Sequence, residues 1–93
     1  MNKEIFEKLG KEITEEEIEE LKNYYNAETE EDMIEKIDTF NITINNVKIN
    51  GKTYEVIAGD AWTNENPDGP FYAIYLREEK RWATDEEEKE AEF

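Results

Sequence analysis

The chain contains no Cys, His, Ser or Gln among its 93 residues. Without Cys or His it has no disulfide framework, zinc finger or thiol redox centre. Without Ser, Cys or His it has no hydrolase triad of the usual kind. The four glycines stand alone at positions 10, 51, 59 and 69, so there is no Gly-rich loop to cradle a phosphate. No apolar run reaches ten residues, which excludes a transmembrane helix. Met1-Asn2-Lys3-Glu4 lacks the basic and hydrophobic regions of a signal peptide, and a cytoplasmic location is the expectation. Positive charge is scarce: 11 Lys and Arg stand against 26 Asp and Glu, a formal net charge of −15.

What remains is enough for one small acidic domain spanning residues 1–93, with 85–93 read as a short helix or a frayed tail. Apolar residues make up 37% and charged residues 40% of the chain, a balance that leans towards disorder. The 11 aromatic and 10 Ile residues are grouped periodically, however, and this favours a folded domain. Self-repulsion at −15 predicts modest stability that rises with salt.

Residues 1–39 read as three short helices. Ile5, Phe6, Leu9 and Ile13 fall at helical spacing, with Gly10 as a C-cap. Thr14-Glu15-Glu16-Glu17 matches a capping box, followed by Ile18, Leu21 and Tyr25 on one stripe with Tyr24 beside it. Thr29-Glu30-Glu31-Asp32 is a weaker box, because Asp is shorter than Glu. Beyond it Met33, Ile34, Ile37 and Phe40 mark a third amphipathic helix.

From Phe40 the period shortens to two. Phe40, Ile42 and Ile44 alternate in one phase and Val47 and Ile49 in the other, so a bulge is expected at Asn45-Asn46. Asn50-Gly51 is a two-residue hairpin turn. It predicts pairing of Ile49 with Lys52, Val47 with Tyr54 and Asn45 with Val56. Phe71 to Leu76 is apolar in both phases and predicts a strand covered on both faces. A turn at Glu78-Glu79-Lys80 then leads to a short strand around Trp82, and Thr84 opens a third Thr-x-x-Glu pattern. The expected fold is α+β, with two or three N-terminal helices, a three- or four-stranded antiparallel sheet and a short C-terminal helix.

Candidate chemistry is thin. Asn64 to Gly69 resembles the opening of a calcium loop, which would make a calcium-ordered module through Asp60 to Asp68, but Tyr75 stands where an EF-hand needs a bidentate Glu. Pro67-Asp68-Gly69 is also an ordinary turn sequence. Paired carboxylates can perform acid–base chemistry only in a pKa-raising cleft, and most acids here fall on polar helix faces. No enzyme activity and no cofactor are expected. Direct binding of nucleic acid fails on sign, since it needs Lys and Arg to neutralise phosphates.

The acids themselves are the main signal. Residues 1–39 carry net −9, residues 40–76 net −2 and residues 77–93 net −4. Glu12, Glu16 and Glu20 are spaced by four, as are Glu15 and Glu19, so like charges form ridges along the second helix. Each such pair costs a few tenths of a kcal/mol, which points to a role beyond stability. The expected contact surface is Glu12, Glu15, Glu16, Glu19 and Glu20, extended by Asp85, Glu86, Glu87 and Glu88, with Trp82 as an aromatic anchor.

In size, acidity and helix-plus-sheet outline the chain resembles the small phage-encoded inhibitors of host defence, which include anti-CRISPR and antirestriction DNA mimics. That resemblance implies a stoichiometric inhibitor acting in the host cytoplasm. Its partner would be a positively charged nucleic-acid-binding protein, such as a CRISPR effector or a restriction nuclease. The alternative is a small adaptor that binds a protein partner through an apolar face of Phe71 to Leu76, with the acidity serving solubility alone.

Overall fold

Three threonines start three of the helices. Thr14, Thr29 and Thr84 each adopt an extended backbone and accept a hydrogen bond from the N–H three residues on, satisfying a donor that the first helical turn leaves open. The computed structural model describes residues 3–61 and 72–92. Its elements are α1 (Lys3–Leu9), α2 (Glu15–Tyr24), α3 (Glu30–Thr39), β1 (Thr43–Ile49), β2 (Lys52–Asp60), β3 (Tyr72–Leu76), β4 (Arg81–Trp82) and α4 (Asp85–Glu90). The arrangement is α+β, with three helices, a four-stranded antiparallel sheet and a short final helix. The chain divides into two compact units, Met1–Ile42 and Thr43–Phe93.

In the first unit, the capping box at Thr14 is complete. The Glu17 N–H donates to the Thr14 hydroxyl at 3.1 Å, and the Thr14 N–H donates to the Glu17 carboxylate at 2.9 Å. At Thr29 the shorter Asp32 cannot close the same ring, and its carboxylate instead accepts from the Glu28 N–H at 3.3 Å. Helix ends are equally specific. Asn26 and Asn41 follow the C-caps of α2 and α3 with φ of 54° and 51°. The next residues close Schellman bonds, Ala27 N–H to the Lys22 carbonyl at 2.8 Å and Ile42 N–H to the Ile37 carbonyl at 3.0 Å. Ile5, Leu9, Ile13, Ile18, Leu21, Tyr25, Met33, Ile37 and Ile42 are buried. α1 packs on α3, and the two are joined at their polar edge by Lys8 and Asp38 at 2.5 Å. The Tyr25 and Phe40 rings, 5.1 Å apart, tie the ends of α2 and α3 together.

The second unit is a meander in the order β1-β2-β3-β4. Asn50 and Gly51 have φ of 51° and 86°, as a type I′ turn requires. The register that follows pairs Ile49 with Lys52, Val47 with Tyr54 and Asn45 with Val56. There is no bulge at Asn45-Asn46: the ladder runs unbroken from Ile49↔Lys52 to Thr43↔Ala58. The change of phase has another cause. Val47 and Ile49 point to one face of the sheet, together with Val56, Ala58, Ile74 and Leu76. Ile44 lies opposite Ile57 on the other face, where Ile57, Ala73 and Tyr75 are also buried. An apolar residue in either phase is therefore in place without any kink.

α4 covers the first of these faces, lying against β1 and β3. Beyond it, Lys48 and Glu92 exchange backbone hydrogen bonds at 3.2 and 2.8 Å, an isolated antiparallel bridge on the outer edge of β1. β3 is an inner strand, and Ala73 to Leu76 are buried in both phases. Phe71, Trp62, Phe93 and most of the Asp60–Asp68 loop lie outside the described residues.

Candidate acidic interface

Building the acidic face begins at Thr14. Because Thr14 is extended (φ −83°, ψ 161°), the helix starts at Glu15 and cannot include Glu12. Glu12 sits on the connection before the cap, exposed to solvent. The ridge Glu12–Glu16–Glu20 expected on one helix is thus reduced to Glu16–Glu20 beside Glu15–Glu19.

Glu17 is withdrawn too. It is buried at 7% exposure, and its carboxylate serves the cap. Ile18 and Leu21 are buried on the same side. At about 100° per residue, Glu15, Glu16, Glu19 and Glu20 occupy an arc of about 140° on the remaining surface. Glu15, Glu16 and Glu19 are exposed and Glu20 is half-buried. The opposing charge on this helix is Lys22, whose Nζ lies 3.5 Å from Glu19, at the outer limit of a hydrogen bond. Glu15, Glu16 and Glu17 occupy the first turn, where the helix dipole favours acids. Glu19 and Glu20 lie beyond that turn and lack this support.

α4 uses its acids differently. Glu87 takes both guanidinium nitrogens of Arg81, at 2.7 and 3.0 Å, and accepts from the Thr84 N–H at 3.0 Å. Hydrogen bonding to Arg81, aided by Thr84, lowers its carboxyl to about 2, and the same bond raises Arg81. Arg81 also holds Glu79 at 2.9 Å. Glu88 is half-buried, and its Oε2 is enclosed with no hydrogen-bond partner among the described residues. Asp85 and Glu86 alone of the four expected tail acids are exposed. The outward charge of Asp85–Glu88 is therefore about half of what spacing suggests.

Trp82 is half-buried and packs edge-on against Tyr75, with centroids 5.2 Å apart at 68°. The two residues are opposite one another in the ladder, on the sheet face away from Leu76 and Arg81. Since α4 covers the Leu76 side, Trp82 and the α4 acids lie on opposite faces of the second unit. The large exposed apolar side chains among the described residues are Tyr24 and Tyr72, at 41% and 47%. Tyr24 lies one turn beyond Glu20 on α2, its ring edge-on to Tyr25 at 5.0 Å. Its spacing of four from Glu20 is the signal that marks it as part of the acidic face.

The strand expected to offer an adaptor surface does not do so in its described part. Residues 73–76 are buried, and Tyr72 is exposed alone. Among the described residues no group of three or more acids is arranged to hold a metal ion. None of the helices there is long and apolar enough to cross a membrane. No protein family, curated protein or solved structure matches the chain.

Proposed function

We propose that the protein is an acidic inhibitor whose α2 face imitates a polyanion. It would act as a phage-encoded anti-CRISPR or antirestriction protein, occupying the basic groove of a nucleic-acid-binding protein such as a CRISPR effector or restriction nuclease in the host cytoplasm. The observation that carries this reading is the arc of Glu15, Glu16, Glu19 and Glu20, answered on the helix by Lys22 at its margin. Carboxylates four residues apart are spaced by about 6 Å along the axis, within reach of consecutive phosphate-binding Lys and Arg side chains. Tyr24, exposed beside them, supplies the aromatic contact that charge alone lacks, since pure charge confers little specificity. Asp85 and Glu86 form a smaller acidic site on the second unit.

A cleavage assay tests the proposal. Guide-loaded CRISPR nucleases and restriction nucleases are each incubated with the protein at about 50 mM salt, before and after their DNA. Inhibition of at least one of them near a 1:1 ratio is expected, competitive with DNA. Affinity should fall about tenfold between 50 and 300 mM salt, as screening shortens the reach of exposed charges. Inhibition that ignores salt, or is not relieved by excess DNA, contradicts it.

A further inference from the structure

α4 is an odd cover for a sheet. All six of its residues are charged, and none is buried. It nevertheless spans the face that holds Val47, Ile74 and Leu76 at 0% exposure. Its attachments are at its ends. Ala83 before it and Ala91 after it pack on the apolar cluster, Arg81 grips Glu87, and Glu92 pairs with Lys48. Between these anchors a single carboxylate, Glu88, is turned inward, with one oxygen enclosed and without a hydrogen-bond partner among the described residues.

An enclosed carboxylate oxygen without a donor is costly when ionised and much less so when it carries a proton. We propose that α4 is a proton-operated latch over this sheet face, seated when Glu88 is protonated and loosened when it ionises.

No charged group on the neighbouring elements compensates the carboxylate, and the Ile74 N–H of β3 offsets it only in part. Within α4, Asp85 is repulsive and Glu87 is committed to Arg81. Glu86, Lys89 and Glu90 are exposed. β1 carries one charged residue, Lys48, whose side chain leaves on the face opposite Val47 and Ile49. β3 has no charged residue, and of its two phenols Tyr75 also points to the far face. β4 contributes Arg81, shared between Glu87 and Glu79. On β2, Lys52 and Asp60 stand at the two ends of the covered face, while Glu55 pairs with Arg77 at 2.6 Å on the other.

Burial accordingly pushes the Glu88 carboxyl up to about 7 from an ordinary 4.5, with Asp85 adding to the rise and the Ile74 N–H opposing it. The sign follows from linkage. The seated latch binds more protons than the released one, so docking is fully supported below 4.5 and is lost progressively as pH rises to about 7. Glu87 acts oppositely and lower down: its clamp is intact above the ordinary value of 4.5 and fails as pH falls towards 2. The latch is thus tightest near pH 4.5.

Amide hydrogen exchange tests this on the intact protein. The Lys48 and Glu92 amides report the latch, and Val56, fully buried in β2, reports the sheet. Rates are corrected for intrinsic exchange. Between pH 5 and 8 the protection of Lys48 and Glu92 should fall about tenfold relative to Val56; water at the half-exposed carboxyl keeps this below the roughly 70-fold that values of 4.5 and about 7 allow over that interval. In Glu88→Gln, which cannot ionise, the fall should vanish. A flat wild-type profile overturns the latch, as does the same fall in Glu88→Gln. If Glu88→Gln does not dock at all, carboxyl NMR of the wild type decides: a Glu88 midpoint near 7 upholds the latch, and one near 4.5 overturns it.

Discussion

Exchanging Glu16 and Glu20 for lysine is expected to weaken binding to a basic groove by at least about 100-fold. Both lie on the outward arc of α2, Glu16 exposed and Glu20 half-buried, and are separated by one turn, so the two changes replace adjacent attractions with repulsions at the same contact. Truncating one partner of an interfacial charge pair already costs about 2–5 kcal/mol when the pair is buried. Reversal at two rim positions reaches the lower end of that range without needing burial. The fold should survive. A lysine at position 16 opposes the helix dipole, but the buried stripe of Ile18 and Leu21 is untouched. Circular dichroism should show an unchanged helix content and a melting midpoint within a few degrees of the wild type. The same binding assay with Tyr72→Ala separates the two functional readings: the polyanion mimic ignores this change, and an adaptor working through β3 does not.

The second large effect concerns the sheet. Leu76 is fully buried in the cluster of Val47, Ile49, Val56, Ala58 and Ile74, beneath a helix that contributes no buried side chain of its own. Leu76→Ala should therefore cost about 3–4 kcal/mol, from lost transfer energy and the cavity left behind. That is a large share of the stability of a chain this size. The expected result is a urea midpoint far below the wild type, with exchange protection lost across β1, β2 and β3 together. A loss under 1 kcal/mol would show that α4 and the strands collapse onto the space.

Local chemistry made most of the architecture legible. Thr14 and Thr84 with Glu three residues on, and Asn50-Gly51 between alternating strands, each specify a structure within a few residues. The register of β1 against β2 followed directly from the turn. Asn26 and Asn41, which end α2 and α3 in the left-handed conformation, are a signal the sequence reading misses, because glycine is the more familiar helix stop.

The misreadings share a cause. Spacing of four between Glu12 and Glu16 suggests one helical face, yet Thr14 caps between them and ends the face there. The phase change at Ile44 implies a bulge only in a sheet buried on one face; a sheet buried on both faces needs none. Glu87 and Glu88 look alike in sequence. Their fates differ because β4 brings Arg81 to one and the apolar face of β1 and β3 encloses the other. Such contacts join residues that no periodic pattern links, and the side on which Trp82 emerges depends on the same register.

One equilibrium measurement bears most directly on whether Glu12 and the outward acids of α2 are a docking tool or a hydration coat. Calorimetric titration of the nuclease that the wild-type chain inhibits, against the chain with Glu12, Glu15, Glu16, Glu19 and Glu20 all changed to Gln, removes charge while keeping shape and helix propensity. Affinity should fall by at least about 100-fold, since each lost charge forfeits its attraction across the contact. Undiminished binding by the neutralised chain would contradict the account, as would a wild-type chain that binds no basic nucleic-acid-binding nuclease even at low salt.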